Sequence, residues 1–279
     1  MTCEIIRHPG PAAEHPFQMA RGQARRVRVV LGGGQSLMQA VAGAMDKAGC
    51  DSGVMTLDGL TIGPYDYVMP GPSHDGIHAA WYSKTHSGSL GRIRHGSAIV
   101  GRREGAWWLH CHAVWDEDGK SKCGHLLPDD VTLPKDAEVT LYAFDGGLFD
   151  VSMNPETQFP IFHPTGGADG GNALIAKVNP HHDISDAISA MIAQAAFSRA
   201  IVVGIGSLIG AQFETGEPMA SPISEVLILP GAQWDGALSL PMYCVDPKDG
   251  QFSGSLLPGL SPVCVTFELL IMESPDSSQ

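Results

Sequence analysis

Three histidines, His110, His112 and His125, flank a short turn at spacings that would let them share one metal ion. The stretch runs Trp107-Trp108-Leu109-His110-Cys111-His112-Ala113-Val114-Trp115, then Asp116-Glu117-Asp118-Gly119, then Lys120 to Leu127. Aromatic and β-branched residues on either side of Asp-Gly are a strong hairpin signal. His110 and His112 are two residues apart, so on a strand both side chains point to one face. If Glu117 and Asp118 form the loop, His110 lies opposite His125 and His112 opposite Cys123. If Asp118 and Gly119 form it, His112 faces His125. Either register gathers three imidazoles on one face, with opposed Cβ atoms about 5 Å apart. A three-residue loop would send His125 to the other face.

Neutral imidazoles at that spacing suit Zn²⁺ or another divalent transition ion, about one per chain. Three protein ligands leave a coordination position open for water or a substrate oxygen. In the first register Cys123 could fill that position and make the metal structural. The ordinary alternative is three histidines engaged in routine hydrogen bonds.

The chain that must position these residues has 279 of them, 43% hydrophobic and 17% charged, enough to bury sizeable cores. The formal net charge of −13 disfavours nucleic acid as a partner, because phosphate recognition needs clustered cations. Local basic runs, Arg21 to Arg28 and Arg92 to Arg103, read equally well as solvated strand edges. Six cysteines without CxxC spacing read as reduced thiols. The first residues show no signal-peptide pattern, and no apolar run approaches membrane-spanning length. A cytoplasmic protein with no membrane partner is expected.

The chain repeats itself. The strand Val27 to Leu31 leads through Gly32-Gly33-Gly34-Gln35-Ser36 into a helix over 37–48, with Ser36 as its cap and Leu37, Val41, Ala44, Met45 and Ala48 inward. The strand Ala173 to Val178 leads through 179–183 into a helix over 184–196, with Ile184, Ile188, Met191, Ile192 and Ala195 inward. Gly59 matches Gly206, Ile62-Gly63 matches Ile209-Gly210, Gly119 matches Gly250, and Leu126-Leu127-Pro128 matches Leu256-Leu257-Pro258. Each unit reads as strand, helix, then several strands, an α+β pattern with a mixed or antiparallel sheet. The expected division is an N-terminal arm over 1–23, a metal-binding unit over 24–154, a Pro/Gly-rich linker over 155–171, a second unit over 172–273 and a tail over 274–279. The second unit has no histidine around Leu238 to Cys244, and Ser255 stands where His125 stands in the first. One active unit and one degenerate, structural unit are expected.

The His110-x-His112 strand, the acidic Asp116 to Gly119 turn and Gly124-His125-Leu126 resemble the PPC (plants and prokaryotes conserved) domain. The likeness runs from about Val27 to Val151 and, more weakly, from Ala173 to Met272, as a tandem prokaryotic member. The resemblance implies a compact α+β unit, trimeric self-association, and a metal held by His110, His112 and His125. Plant members add a DNA-binding AT-hook, whose Arg-Gly-Arg-Pro core does not occur here.

The first unit carries an insertion over about 64–90, rich in turn formers, histidines and aromatics, which suits a lid or binding loop. Lys84 and His86 are the candidate catalytic residues. Arg92, Arg94 and His95 are candidates for holding a small anionic substrate. Asp129 or Asp130 could orient an imidazole. The triglycine segment could cradle an anion at the helix N-terminus, though a plain strand–helix turn explains it as well. His181 and His182 lack convergent partners. The combined reading is a zinc-type enzyme performing hydrolysis, lyase or decarboxylation chemistry on a small anionic metabolite. The rival is a non-enzymatic protein, either DNA-associated or an oligomer stabilised by its metal.

Overall fold

One 15-residue strand, Phe17–Leu31, belongs to both halves of the molecule. Residues 17–22 pair antiparallel with Ala173–Val178, and residues 23–31 pair antiparallel with Ala137–Asp145. Residues 6–274 are described in the computed structural model, and they form an α+β fold of mainly antiparallel strands with two helices. The expected arm over 1–23 therefore ends in sheet: residues 17–23 belong to this strand, and 6–16 approach it without regular structure. Its alternation was masked by arginines, whose stems lie along the sheet while their charged heads reach solvent or acids such as Asp145. Residues 1–5 of that arm and 275–279 of the expected tail lie outside the described residues.

The same strand order occurs twice. In the first half residues 23–31 are followed across the sheet by Ala137–Asp145, Ser52–Thr56, Gly91–Arg103, Ala106–Glu117 and Lys120–Leu126. In the second the order is Ala173–Val178, Val263–Glu273, Arg199–Leu208, Glu225–Ile228, Pro241–Val245 and Gln251–Ser255. A helix follows the first strand of each series. Leu37–Ala48 opens on a capping box between Ser36 and Gln39 and ends at Gly49, whose φ of 60° is left-handed. Ile184–Ala195 is capped by Asp183, whose side chain accepts from the Ser185 and Asp186 amides. Both helices bury the expected apolar stripes, apart from Ala48, which is half-buried.

The segment over 155–171 is not a free linker. Pro160–Gly166 pairs antiparallel with Gly147–Met153, which touches Gly91–Arg103 in parallel at Asp150 and Arg102. Its prolines are tolerated because among the described residues this strand pairs on one side only. The first half's apolar core, with Trp115, Leu141 and Phe149, takes in Ile175, Ile205, Leu227 and Leu270 of the second half, which also has a core of its own around Ile188, Val202 and Phe267. Among the described residues no helix is long and apolar enough to cross a membrane.

Candidate metal centre

The hairpin adopts the Asp118–Gly119 loop. Asp118 (φ 49°) and Gly119 (φ 74°) are both left-handed, as a tight two-residue turn between twisted strands requires. Glu117 then pairs with Lys120, and His112 lies directly opposite His125. The ring centroids of His110 and His112 are 4.6 Å apart, those of His110 and His125 5.0 Å, and those of His112 and His125 5.4 Å. In this register Cys123 sits opposite Val114, and it is not part of the converging group. Burial, with smaller contributions from Cys244 and Glu225, holds its thiol pKa well above the ordinary range.

The second half completes the group. Glu225, at the start of Glu225–Ile228, brings Oε2 to 2.5 Å from His112 Nε2. One donor atom from each of His110, His112, His125 and Glu225 lies within 4.8 Å of the others. Glu268, fully buried on Val263–Glu273, places Oε2 2.5 Å from His110 Nδ1. Thr266 Oγ1 donates to the other Glu268 oxygen at 3.3 Å. The expectation of a purely structural second unit is thus corrected: it lacks the histidines but supplies two carboxylates. Comparing equivalent positions of the repeat could not reveal this, because the acids act across the interface rather than at equivalent sites. The signal available in the sequence was a lone acid in an apolar run, as in Val265-Thr266-Phe267-Glu268-Leu269-Leu270, since buried carboxylates need partners.

Proton positions show that this set fits a cation. His112 Nδ1 lies 2.9 Å from the Val226 carbonyl, which can only accept, so Nδ1 carries the proton. A neutral His112 therefore presents a lone pair at Nε2. That lone pair meets the Glu225 carboxylate and His110 Nε2, 3.0 Å away. His110 Nδ1–H in turn points at Glu268, so His110 in its neutral form presents an Nε2 lone pair inward. His125 Nδ1 is buried without a hydrogen-bond partner. Burial lowers the His125 pKa well below the usual imidazole value, helped by His110 and His112, so this ring stays neutral. For His110 burial acts in the same direction, but Glu268, by charge and hydrogen bond, and Glu225 outweigh it and raise the pKa. Electron pairs without enough protons between them are what a divalent ion requires.

The group forms one end of a cavity of about 340 Å³. His110, His125 and Glu225 face the cavity, while His112, only 1% exposed, stands behind them. The walls are mainly apolar, with Trp108, Phe159, Phe162, Ile223 and Val265 among them. The insertion supplies Trp81 and Tyr82. The Tyr82 ring packs edge-on against His125 at 5.1 Å; the residue as a whole is 37% exposed, but desolvation at its cavity side and the Glu225 and Glu268 charges push its phenol pKa upward. Tyr82 was not singled out in the sequence, where it is one aromatic residue of a turn-rich loop.

The other candidates lie elsewhere. Lys84 is exposed, and its carbonyl accepts from Ser83 Oγ. His86 stacks on Tyr67 at 5.2 Å. Arg94 pairs with Asp116 at 3.2 Å, Arg92 is exposed beside Thr61, and His95 faces Asp58 at 3.6 Å. None of the five lines the cavity. Arg92, Arg94 and His95 lie on the part of their strand that pairs near the hairpin turn, opposite residues 114–116, and Lys84 lies in no strand. Arg103, at the far end of the same strand, is the cation that reaches the cavity. Asp129 and Asp130 line its rim, but Glu268 and the Val226 carbonyl are what orient the imidazoles. In the triglycine turn the Gly33 amide donates to Asp136 at 2.7 Å and that of Gly34 to the Leu133 carbonyl, so these donors are taken. His181 packs near His8, away from the group.

No family profile matches the chain, and no curated protein matches it. Among solved structures it is similar to a metal-containing protein from Archaeoglobus fulgidus, at 17% identity and a TM-score of 0.39, over 53% of this chain and 97% of that one. It is also similar to a PPC protein from Pyrococcus horikoshii, at 15% identity and a TM-score of 0.40, over 53% and 94%. A third is a DNA-binding protein, so described provisionally, from Ralstonia eutropha JMP134, at 15% identity and a TM-score of 0.37, over 51% and 96%. The chemistry of the site rests on its own residues.

Proposed function

We propose that the chain is a tandem pair of PPC-like units housing one metal-dependent active site, which acts on a small anionic molecule. The observation that carries this reading is a set of three imidazoles and one carboxylate, short of protons, at the end of a mainly apolar cavity. His110, His112, His125 and Glu225 would hold a zinc-type ion. Such an ion supplies a Lewis acid for a carbonyl or carboxylate oxygen, or a water of lowered pKa. Glu268 fixes the His110 tautomer, and the Val226 carbonyl fixes that of His112. Tyr82 and Trp81, each partly exposed, line the cavity beside the site. Hydrolysis, lyase and decarboxylation chemistry all suit these parts. The test is metal analysis of the purified full chain beside His112→Ala and Glu225→Gln. About one ion per wild-type chain is expected, lost from His112→Ala and reduced in Glu225→Gln. No uptake in zinc-supplemented protein, or two ions per chain, would end the proposal.

A second reading is favoured by one feature: with Glu225 the protein ligands number four, enough to close a tetrahedral structural site. Cobalt substitution separates the two. In an open site the visible spectrum shifts when azide is added, whereas a closed site is indifferent. The net charge of −13 weighs against a DNA-associated role.

A further inference from the structure

We propose that the cavity takes an aromatic carboxylate, its ring between the aromatic walls and its carboxylate on Arg103. The proposal rests on the metal reading only for what meets the opposite end of the ligand.

Among the described residues, Arg103 is the one arginine or lysine facing this cavity. Its guanidinium carbon lies 4.8 Å from the centroid of the Trp108 ring, so the indole holds the face of the group in place. Among the described residues no carboxylate lies within 4.0 Å of it, although Asp129 and Asp130 share the rim. A guanidinium stacked in this way keeps its N–H edge free for a two-pronged bond to a carboxylate. Of the carboxylates at the other end, Glu268 is engaged by His110 and Glu225 belongs to the group that would hold the ion.

The length of the cavity follows from strand geometry. Trp108 and His110 are two residues apart on one face of Ala106–Glu117, which sets their side chains about 7 Å apart. A single ring with polar substituents at opposite ends bridges that gap. Phe159 and Trp81 pack on each other with centroids 5.1 Å apart and give the cavity one aromatic flank, and Phe162 also lines it. A ligand of this class would set its carboxylate on Arg103, its ring against Phe159 and Trp108, and its second polar group at His110, His125 and Glu225.

Asp129 and Asp130 pose the rival, an aromatic amine. All three are exposed, but Arg103 is held over the Trp108 ring, whereas among the described residues no ring contact holds Asp129 or Asp130 on their short turn. Two probes sharing a phenol and differing in charge decide between them. Tryptophan fluorescence and calorimetry of the full chain, zinc-loaded and metal-stripped, would be followed with 4-hydroxyphenylacetate and with tyramine. The acid is expected to bind both forms, at least tenfold more tightly than tyramine. Arg103→Gln should weaken it about tenfold, the loss of one charge-assisted bond, and leave tyramine unaffected. Because Arg103 is exposed, the variant should melt with the wild type. Equal binding of the acid to Arg103→Gln, preference for tyramine, or no binding of the acid to either form would overturn the inference. Arg103-dependent binding in a chain that takes up no zinc would leave this inference standing and remove the metal reading. Zinc uptake without binding of the acid would do the reverse.

Discussion

His110 and His125 sit in the same group yet are tuned in opposite directions. The Glu268 and Glu225 carboxylates raise the His110 pKa against the effect of burial, while burial and two neighbouring imidazoles lower that of His125. A metal binds only the deprotonated ring. Of these two rings, His110 is therefore the one more inclined to hold a proton that an incoming ion must displace, and His125 the less. Replacing Glu268 removes the largest cause of the raised value. Zinc binding at pH 7 should therefore release fewer protons from Glu268→Gln than from wild type, read with an indicator dye in weak buffer. Equal release would refute the assignment of Glu268 as the group that sets the His110 protonation. The lysine paired across the sheet with Glu268 makes a second test. Lys177 is 1% exposed and donates to Asn179 at 2.6 Å, and burial lowers its pKa to about 8. The unfolded chain, with an ordinary lysine, holds the proton more tightly than the folded one. Stability should thus rise between pH 8 and about 10.5, by on the order of 3 kcal/mol. Denaturant titrations should show that rise in wild type and its loss in Lys177→Met.

At the scale of elements the hairpin decides whether a site exists. Asp118 and Gly119 hold left-handed angles, and the turn they make sets the face on which His125 emerges. Gly119→Val should lower stability by about 1–2 kcal/mol without changing register. One glycine inserted between residues 118 and 119 should instead turn His125 away and abolish zinc binding in a folded protein, a combination that circular dichroism and metal analysis would reveal. Retained zinc in the insertion variant would mean the turn does not set the site. This hairpin was legible because Asp-Gly and alternating aromatic residues are local signals. Both helices were legible too, Leu37–Ala48 to the residue and Ile184–Ala195 to within one. Glu225 and Glu268 were not, since a sequence records neighbours along the chain and these acids act across an interface. Nor was the placement of Arg103 over Lys84 or His86, because the cavity lies at the opposite end of the strands from the turn. The strand Pro160–Gly166 hid behind prolines and glycines that an outer strand accommodates.

The whole molecule places both halves of the site in one chain. Its histidines come from the first sheet and its carboxylates from the second, and the two sheets share the strand Phe17–Leu31. A group completed within one chain does not need a neighbouring subunit to hold its ion. If the chain self-associates, as a trimer or otherwise, zinc affinity should stay constant while dilution separates the subunits, followed by light scattering and chelator competition. Affinity that falls with dissociation would point to a ligand from a neighbour. Sharing extends to the core, where Ile175, Ile205, Leu227 and Leu270 pack in one cluster with Leu141 and Phe149. Unfolding either half would expose apolar surface of the other and split a strand along its length. Calorimetry should accordingly show a single transition. Zinc at a hundredfold excess over its dissociation constant should stabilise that whole transition by about 2.7 kcal/mol. Two separate transitions, with zinc shifting only the one that belongs to the histidines, would mean that the carboxylates of the second half take no part in holding the ion.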